Sequence, residues 1–153
     1  MKIYFDACCV NRLTDDQSQE RIVHEAEAIE ELIGLATSGG RVWVGSVVLE
    51  AEIARNSDAE RRADAQALLE FVGQVVGLDD GIVARGRKLQ GVGFSEFDAL
   101  HIACAESARV DVLLTTDDRL LRRANRLKQE LAVRVLNPVS FLEEVKNAVS
   151  RND

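Results

Sequence analysis

Two hydrophobic periods alternate along the chain and predict a regular succession of strands and helices. Four short apolar runs have the length and composition of strands: residues 3–6, 41–46, 110–116 and 133–137. Seven segments repeat apolar residues at helical spacing: residues 20–37, 46–55, 59–74, 78–90, 95–108, 117–131 and 139–149. Because parallel strands need helical crossovers, this order predicts an α/β fold with a parallel sheet covered on both faces.

Length and charge narrow the class of protein. The 153 residues suit one domain, and the net charge of −7 disfavours a surface that coats nucleic acid broadly. The three cysteines are expected to be reduced, and too few Cys and His residues share ligand spacing for a zinc site. With no long apolar run and no signal-peptide pattern, we expect a cytoplasmic protein without membrane association.

Three aspartates come from different places in the predicted fold. Asp6 ends the first strand, Asp117 follows the strand at residues 110–116, and Asp98 lies three residues after the predicted helix cap Ser95. If the two strands are neighbours, Asp6 and Asp117 meet at the carboxyl edge of the sheet, where ligands bind in such folds. Taken singly, Asp98 and Asp117 are more often capping or solvated residues, whereas Asp6 has apolar neighbours that make a bare charge costly.

Clustered carboxylates predict a cation. They repel one another unless a positive charge neutralises them, and no Lys or Arg adjoins Asp6 or Asp98 in the sequence. Ligand sets made of oxygen atoms suit Mg²⁺ or Mn²⁺, and such ions assist the hydrolysis of phosphodiesters. The pattern therefore favours metal-assisted phosphodiester hydrolysis.

The strand-end Asp6, the stretch DALHIACA at residues 98–105 and the stretch LLTTDD at residues 113–118 together resemble the PIN domain family. This resemblance implies a three-layer α/β/α sandwich with a central, mainly parallel sheet, formed as one PIN-like domain over residues 1–146 with a tail at 147–153. It also implies a Mg²⁺- or Mn²⁺-dependent endoribonuclease that cleaves RNA. Many small members are VapC-type toxins, which implies a small antitoxin protein as partner and a homodimer.

The resemblance assigns the ligands as well. It implies metal-binding and catalytic roles for Asp6, Asp98 and Asp117, and a fourth acid in the helix after the second strand. Glu50 and Glu52 both qualify, but they are separated by roughly 200° around a helix, so only one can face the site. We prefer Glu52, which lies six residues after Ser46 and shares a face with Val48 and Leu49.

Other polar residues near these motifs are candidates for supporting roles. Four of them could orient a ligand or a water molecule, or could simply cap a turn: Asn11, Thr115, Thr116 and Asp118. Arg119 and Arg122 could hold an RNA phosphate, although an exposed helix face is the more frequent explanation. His101 is interpreted as a packed or hydrogen-bonded helix residue.

Two other classes of protein share some of these features. A PIN-like module that binds RNA or protein without cleaving it would carry the same acids in structural roles. A haloacid-dehalogenase-like phosphatase also has a strand-end Asp, but its chemistry needs a second Asp two positions later, where this chain has Cys8.

Overall fold

Parallel strands and helices alternate through residues 1–152, the part of the chain that the computed structural model describes. The strands are β1 Lys2–Phe5, β2 Val42–Ser46, β3 Gln74–Val76, β4 Val112–Leu114 and β5 Arg134–Leu136. The helices are α1 Ala7–Arg12, α2 Glu20–Ala36, α3 Val47–Ala54, α4 Ala59–Leu68, α5 Asp80–Gly91, α6 Glu96–Ser107, α7 Asp118–Arg126 and α8 Pro138–Asn152. Short 3₁₀ turns follow α4 and α7, at Leu69–Phe71 and Lys128–Glu130.

The five strands form one parallel sheet in the order β3-β2-β1-β4-β5. Alternate residues of β1 enter two separate cores. Phe5 packs with Trp43 and Leu114 beneath α1, α2 and α8, whereas Tyr4 packs with Val44 and Leu113 beneath α5 and α6. The predicted three-layer α/β/α sandwich with a parallel sheet is therefore confirmed.

Parts of the fold differ from the sequence-based expectation. The helix predicted over residues 59–74 ends at Leu68, and the chain then turns into the edge strand β3. The turn is stabilised by a hydrogen bond from the Gly73 amide to the Trp43 carbonyl oxygen, at 2.9 Å. Helix α1, six residues long, has no sequence period of its own. At the C-terminal end, α8 continues to Asn152, so described residues of the expected tail are helical, while Asp153 lies outside the described residues.

The central strands place two acidic segments side by side. β1 and β4 are neighbours, with Phe5 opposite Leu114 at their carboxyl ends. The ladder continues one step further, since the Asp6 amide donates to the Leu114 carbonyl oxygen at 2.9 Å. The expected adjacency of the strands that precede Asp6 and Asp117 is therefore present.

None of the helices within residues 1–152 combines the length and the apolar character that a membrane crossing requires.

Candidate metal centre

Asp6 is a buried carboxylate that several donors hold in place. Its side chain is the N-cap of α1, where Oδ1 accepts from the Ala7 amide at 2.7 Å, and the residue is 4% exposed. Oδ2 accepts from the Thr115 hydroxyl at 3.0 Å and from the Cys8 thiol at 3.4 Å. Burial raises the pKa of Asp6, so its charge in the folded protein requires a compensating positive group.

Glu52 reaches the same place from α3. That helix begins at Ser46, whose hydroxyl oxygen accepts from the Leu49 amide at 3.0 Å. Glu52 Oε1 lies 3.3 Å from His101 Nε2, and the same ring nitrogen lies 3.5 Å from Asp6 Oδ1. Glu50 is exposed and lines a different surface groove with Gln66 and Glu70. Of the two acids open after sequence analysis, Glu52 is therefore the one beside Asp6.

Asp98 and Asp117 contribute negative charge from two helix N-termini. Asp98 lies in the first turn of α6, and its amide donates to Ser95 Oγ at 3.3 Å. Desolvation raises the pKa of Asp98 to about 6, and the charges of Asp6 and Asp117 add to this shift. Asp117 is exposed and caps α7, where Oδ1 accepts from the Arg119 and Leu120 amides at 2.9 and 3.3 Å.

The four predicted ligands do not all approach equally closely. Within residues 1–152, the potential ligand atoms that lie within 4.8 Å of one another belong to Asp6, Glu52 and His101. Asp98 and Asp117 lie outside that group, although Asp98 is near enough to both Asp6 and Asp117 for their charges to raise its pKa. The centre is thus an inner group with two further carboxylates around it.

The contacts of His101 with Tyr4, Glu52 and Asp6 were not predicted from the sequence. It is fully buried on α6, and its Nδ1 lies 2.6 Å from the Tyr4 hydroxyl, which in turn lies 2.6 Å from Ser46 Oγ. Burial opposes the charged ring, but the hydrogen bond to Glu52 and the charge of Asp6 raise the pKa of His101 above its usual value. The expected hydrogen-bonded helix histidine is therefore present, but it contacts two of the proposed ligands. Its position three residues after Asp98, on the same helix face, was the available signal.

The four residues expected to support the ligands differ in their hydrogen-bond partners. Thr115 bonds to Asp6 and accepts from the Asp117 amide at 3.1 Å, so one hydroxyl joins the two acids. Asp118 instead accepts hydrogen bonds from both terminal guanidinium nitrogens of Arg21, each at 2.8 Å. Asn11 Oδ1 and Thr116 Oγ1 are buried and have no hydrogen-bond partner within residues 1–152.

The predicted phosphate-binding arginines belong to a larger group on α7. Arg119 and Arg122 line a surface groove of about 500 Å³ together with Arg123 and Arg126. These positions recur at the spacing of one helix face. In the described part of the chain, all four lack the ion pairs that Arg21, Arg85 and Arg134 form with carboxylates.

The donor set suits a hard divalent cation. The carboxylates of Asp6, Glu52, Asp98 and Asp117 form no ion pair with Lys or Arg within residues 1–152, and His101 is the basic group in contact with them. Carboxylate oxygens are typical ligands of Mg²⁺ and Mn²⁺ rather than of structural zinc sites. A cluster of carboxylates with no Lys or Arg partner within residues 1–152 fits a bound divalent cation.

A parallel α/β/α sandwich with a carboxylate cluster at the carboxyl edge of β1 and β4 defines the class of protein. The family model of the PIN domain matches residues 3–127, and the chain belongs to the PIN domain family. No curated protein has a sequence that matches this chain significantly.

Solved structures from three bacteria share the fold. The structure of VapBC-1 from nontypeable Haemophilus influenzae matches with a TM-score of 0.59 and 17% identity, over 90% of this chain and 98% of that one. The structure of VapBC2 from Rickettsia felis, bound to a promoter DNA fragment, matches with a TM-score of 0.57 and 9% identity over the same shares. The toxin VapC20 from Mycobacterium tuberculosis, which cleaves the Sarcin-Ricin loop, matches with a TM-score of 0.58 and 16% identity, over 77% of this chain and 92% of that one.

Proposed function

We propose that this protein is an endoribonuclease that hydrolyses RNA phosphodiester bonds with the help of Mg²⁺ or Mn²⁺. The observation that carries the proposal is the approach of Asp6 and Glu52 to the same ring nitrogen of His101, with Asp98 close enough to Asp6 for its pKa to rise. None of these three acids has a Lys or Arg partner within residues 1–152. Membership of the PIN domain family supports a nuclease. A purely structural cluster would be expected to pair its charges with nearby cations.

Asp6, Glu52, Asp98 and Asp117 are the proposed metal ligands and catalytic residues. A divalent ion bound here would lower the pKa of a water molecule and would stabilise negative charge on the phosphate. Asp6 is the fixed member, because it is held by the Ala7 amide and the Thr115 hydroxyl. Thr115 orients Asp6 and the backbone of Asp117 through one hydroxyl group, so it sets the relative position of two ligands.

Arg119 and Arg122 are the proposed contacts for RNA phosphates. Both lie within six residues of Asp117 on α7 and line the same groove, and both guanidinium groups are free of ion pairs within the described residues. Because the rise per residue is about 1.5 Å, the segment from Asp117, the cap of α7, to Arg126 extends roughly 14 Å along the helix axis. That length spans about two backbone phosphates, which supports binding of a single RNA strand beside the scissile bond.

Cleavage of RNA by purified protein tests the enzymatic proposal. Wild-type protein should cleave mixed RNA substrates with Mg²⁺ or Mn²⁺ and should lose activity in chelator, whereas Asp6→Asn and Asp98→Asn should both be inactive. Asp64→Asn is the control, because Asp64 is an exposed acid on α4 outside the centre. If both site variants cleaved as fast as the wild type, the assignment would be wrong. If the wild type bound RNA without cleaving it, a binding module would be indicated instead.

We further propose that the protein is the toxin of a VapBC-like pair, bound by a small antitoxin protein, and that it forms a homodimer in the cytoplasm. The support is the fold shared with the VapBC and VapC structures. Expression of the wild type should arrest growth, and Asp6→Asn should not. Co-expression of a small neighbouring gene should restore growth, and harmless expression of active nuclease would contradict the toxin role.

A further inference from the structure

His101 lies at the end of a buried chain of side chains that joins three elements of the fold. From Ser46 Oγ, the chain passes to the Tyr4 hydroxyl at 2.6 Å and on to His101 Nδ1 at 2.6 Å. On the other side of the ring, Nε2 lies 3.3 Å from Glu52 Oε1. Each of Ser46, Tyr4 and His101 is at most 1% exposed, so solvent does not supply alternative partners.

The positions of the hydrogens in this chain follow from the groups at its two ends. A neutral imidazole has one N–H group and one bare nitrogen. If the bare nitrogen were Nε2, its lone pair would face the oxygens of Glu52 and Asp6, which are also acceptors. If Nε2 carries the hydrogen, it donates to Glu52, and Nδ1 accepts from Tyr4, whose oxygen accepts from the Ser46 hydroxyl. Of the two neutral forms, only this one gives every close contact both a donor and an acceptor, and Nε2 also donates to Glu52 in the protonated ring.

Glu52 depends on this donor more than Asp6 does. Asp6 is fixed independently by the Ala7 amide and the Thr115 hydroxyl. For Glu52, the side-chain hydrogen bond found within residues 1–152 is the one to His101. A glutamate has three side-chain torsions, and ordering such a chain without a partner costs conformational entropy.

We propose that His101 is a positioning residue that donates its Nε2–H to Glu52 Oε1 and so holds Glu52 beside Asp6 in readiness for the divalent ion. The role rests on the proposed metal-dependent function, but the hydrogen bond itself does not. Ser46 serves both partners, since it caps the helix that carries Glu52 and also ends the chain that orients His101. A ring nitrogen that carries a hydrogen cannot coordinate an ion, so in this role His101 is not a ligand. This holds even though its ring nitrogen lies within 4.8 Å of carboxylate oxygens of Asp6 and Glu52.

Nitrogen NMR of the imidazole rings tests the hydrogen position directly. The chain contains two histidines, and the exposed His24 provides an internal reference for an ordinary ring. In chelator-treated protein, His101 Nε2 should carry a hydrogen, and it should keep it when Mg²⁺ is added. A bare Nε2 in chelator, or loss of that hydrogen because the ion binds the nitrogen, overturns the proposal.

Paired variants test the effect on metal affinity. His101→Asn leaves a polar group near Tyr4 but no donor at the Nε2 position, whereas His101→Gln can place an amide N–H there. The dissociation constant for Mn²⁺, measured by calorimetry, should rise about tenfold in His101→Asn and less in His101→Gln. His24→Gln, a change at the exposed histidine, should leave it unchanged.

A double-mutant cycle distinguishes positioning from general loss of structure. In the Glu52→Gln background, His101→Asn should change Mn²⁺ affinity by less than about twofold, because the carboxylate that it positions is gone. Equal effects in both backgrounds would overturn the proposal. If the wild type bound neither Mg²⁺ nor Mn²⁺, the proposed function would fail, while the NMR result would still decide which atom His101 donates from.

Discussion

Glu50 and Glu52 are two residues apart on α3, yet only Glu52 contacts the buried centre, through the 3.3 Å hydrogen bond with His101. Glu50 is exposed and lies beside Gln66 and Glu70 on another surface. The pair therefore provides a natural comparison, with the same residue type, the same helix and different surroundings.

Replacing each of these acids by glutamine should give opposite results. We expect Glu52→Gln to lower the rate of metal-dependent RNA cleavage at least about a hundredfold, because it removes a proposed ligand and the acceptor for His101. Glu50→Gln should retain wild-type activity. Cleavage of a labelled RNA at saturating Mn²⁺ checks both variants, and equal activity in the two would remove Glu52 from the ligand set.

The free energy of unfolding in chelator should fall as pH rises through the pKa of Asp98. Its pKa is raised from 3.8 to about 6 in the folded state, so between these values the folded protein binds more protons than the unfolded chain. This contribution is fully present below pH 3.8, declines up to about pH 6 and is absent above it. Urea denaturation from pH 4 to pH 7 measures the trend.

Asp98→Asn should remove this decline in the free energy of unfolding between pH 4 and pH 7. At pH 7 in chelator, we expect the variant to be more stable than the wild type by about 1 kcal/mol, a value reduced for solvent screening because Asp98 is only half-buried. The difference should shrink towards pH 4. Added Mg²⁺ should stabilise the wild type more than the variant, and an equal response to Mg²⁺ would count against Asp98 as a ligand.

Arg119→Gln and Arg122→Gln should weaken RNA binding without changing metal affinity. Each removes one unpaired positive charge beside the centre, so we expect the dissociation constant for RNA to rise several-fold and the salt dependence to decrease by about one ion per variant. Arg41→Gln is the control, because Arg41 precedes β2 and therefore lies at the opposite, amino edge of the sheet. Fluorescence anisotropy at several salt concentrations measures both quantities.

Two helix caps should differ in their contribution to stability. Ser46→Ala removes the cap of α3 and leaves the buried Tyr4 hydroxyl without one of its partners, so we expect a loss of about 2 kcal/mol. Ser95→Ala removes only the exposed cap of α6 and should cost about 1 kcal/mol or less. Urea denaturation compares the two, and equal losses would indicate that the bond to Tyr4 adds little.

The sequence was informative where a local signal and the tertiary fold agree. Asp6 and Asp117 follow buried strands, and the meeting of those strands could be expected from the α/β pattern alone. Strand β3 could not be expected, because Gln74–Val76 gains its structure from pairing with β2 after a helix of ordinary propensity.

Contacts between distant residues were the least accessible part of the site. The sequence predicts that His101 is packed or hydrogen-bonded, but its contact with Glu52 joins residues 49 positions apart and depends on how α3 and α6 pack. Arg21 similarly reaches Asp118 across 97 positions. Neither separation leaves a periodic signal, so only the packed fold reveals these partners.

Because the amide of Asp6 donates to the carbonyl oxygen of Leu114, the candidate metal centre begins inside the hydrogen-bonded ladder of the sheet. Exposure of the Asp6 amide therefore requires β1 to separate from β4. These two strands are adjacent in the sheet, at the point where the strand order reverses. The Asp6 amide hydrogen should consequently exchange with deuterium only as slowly as the central sheet does, far behind the amides at the exposed start of α7. The carboxylate of Asp6 is thus anchored to the central strands, the part of the molecule expected to open most slowly.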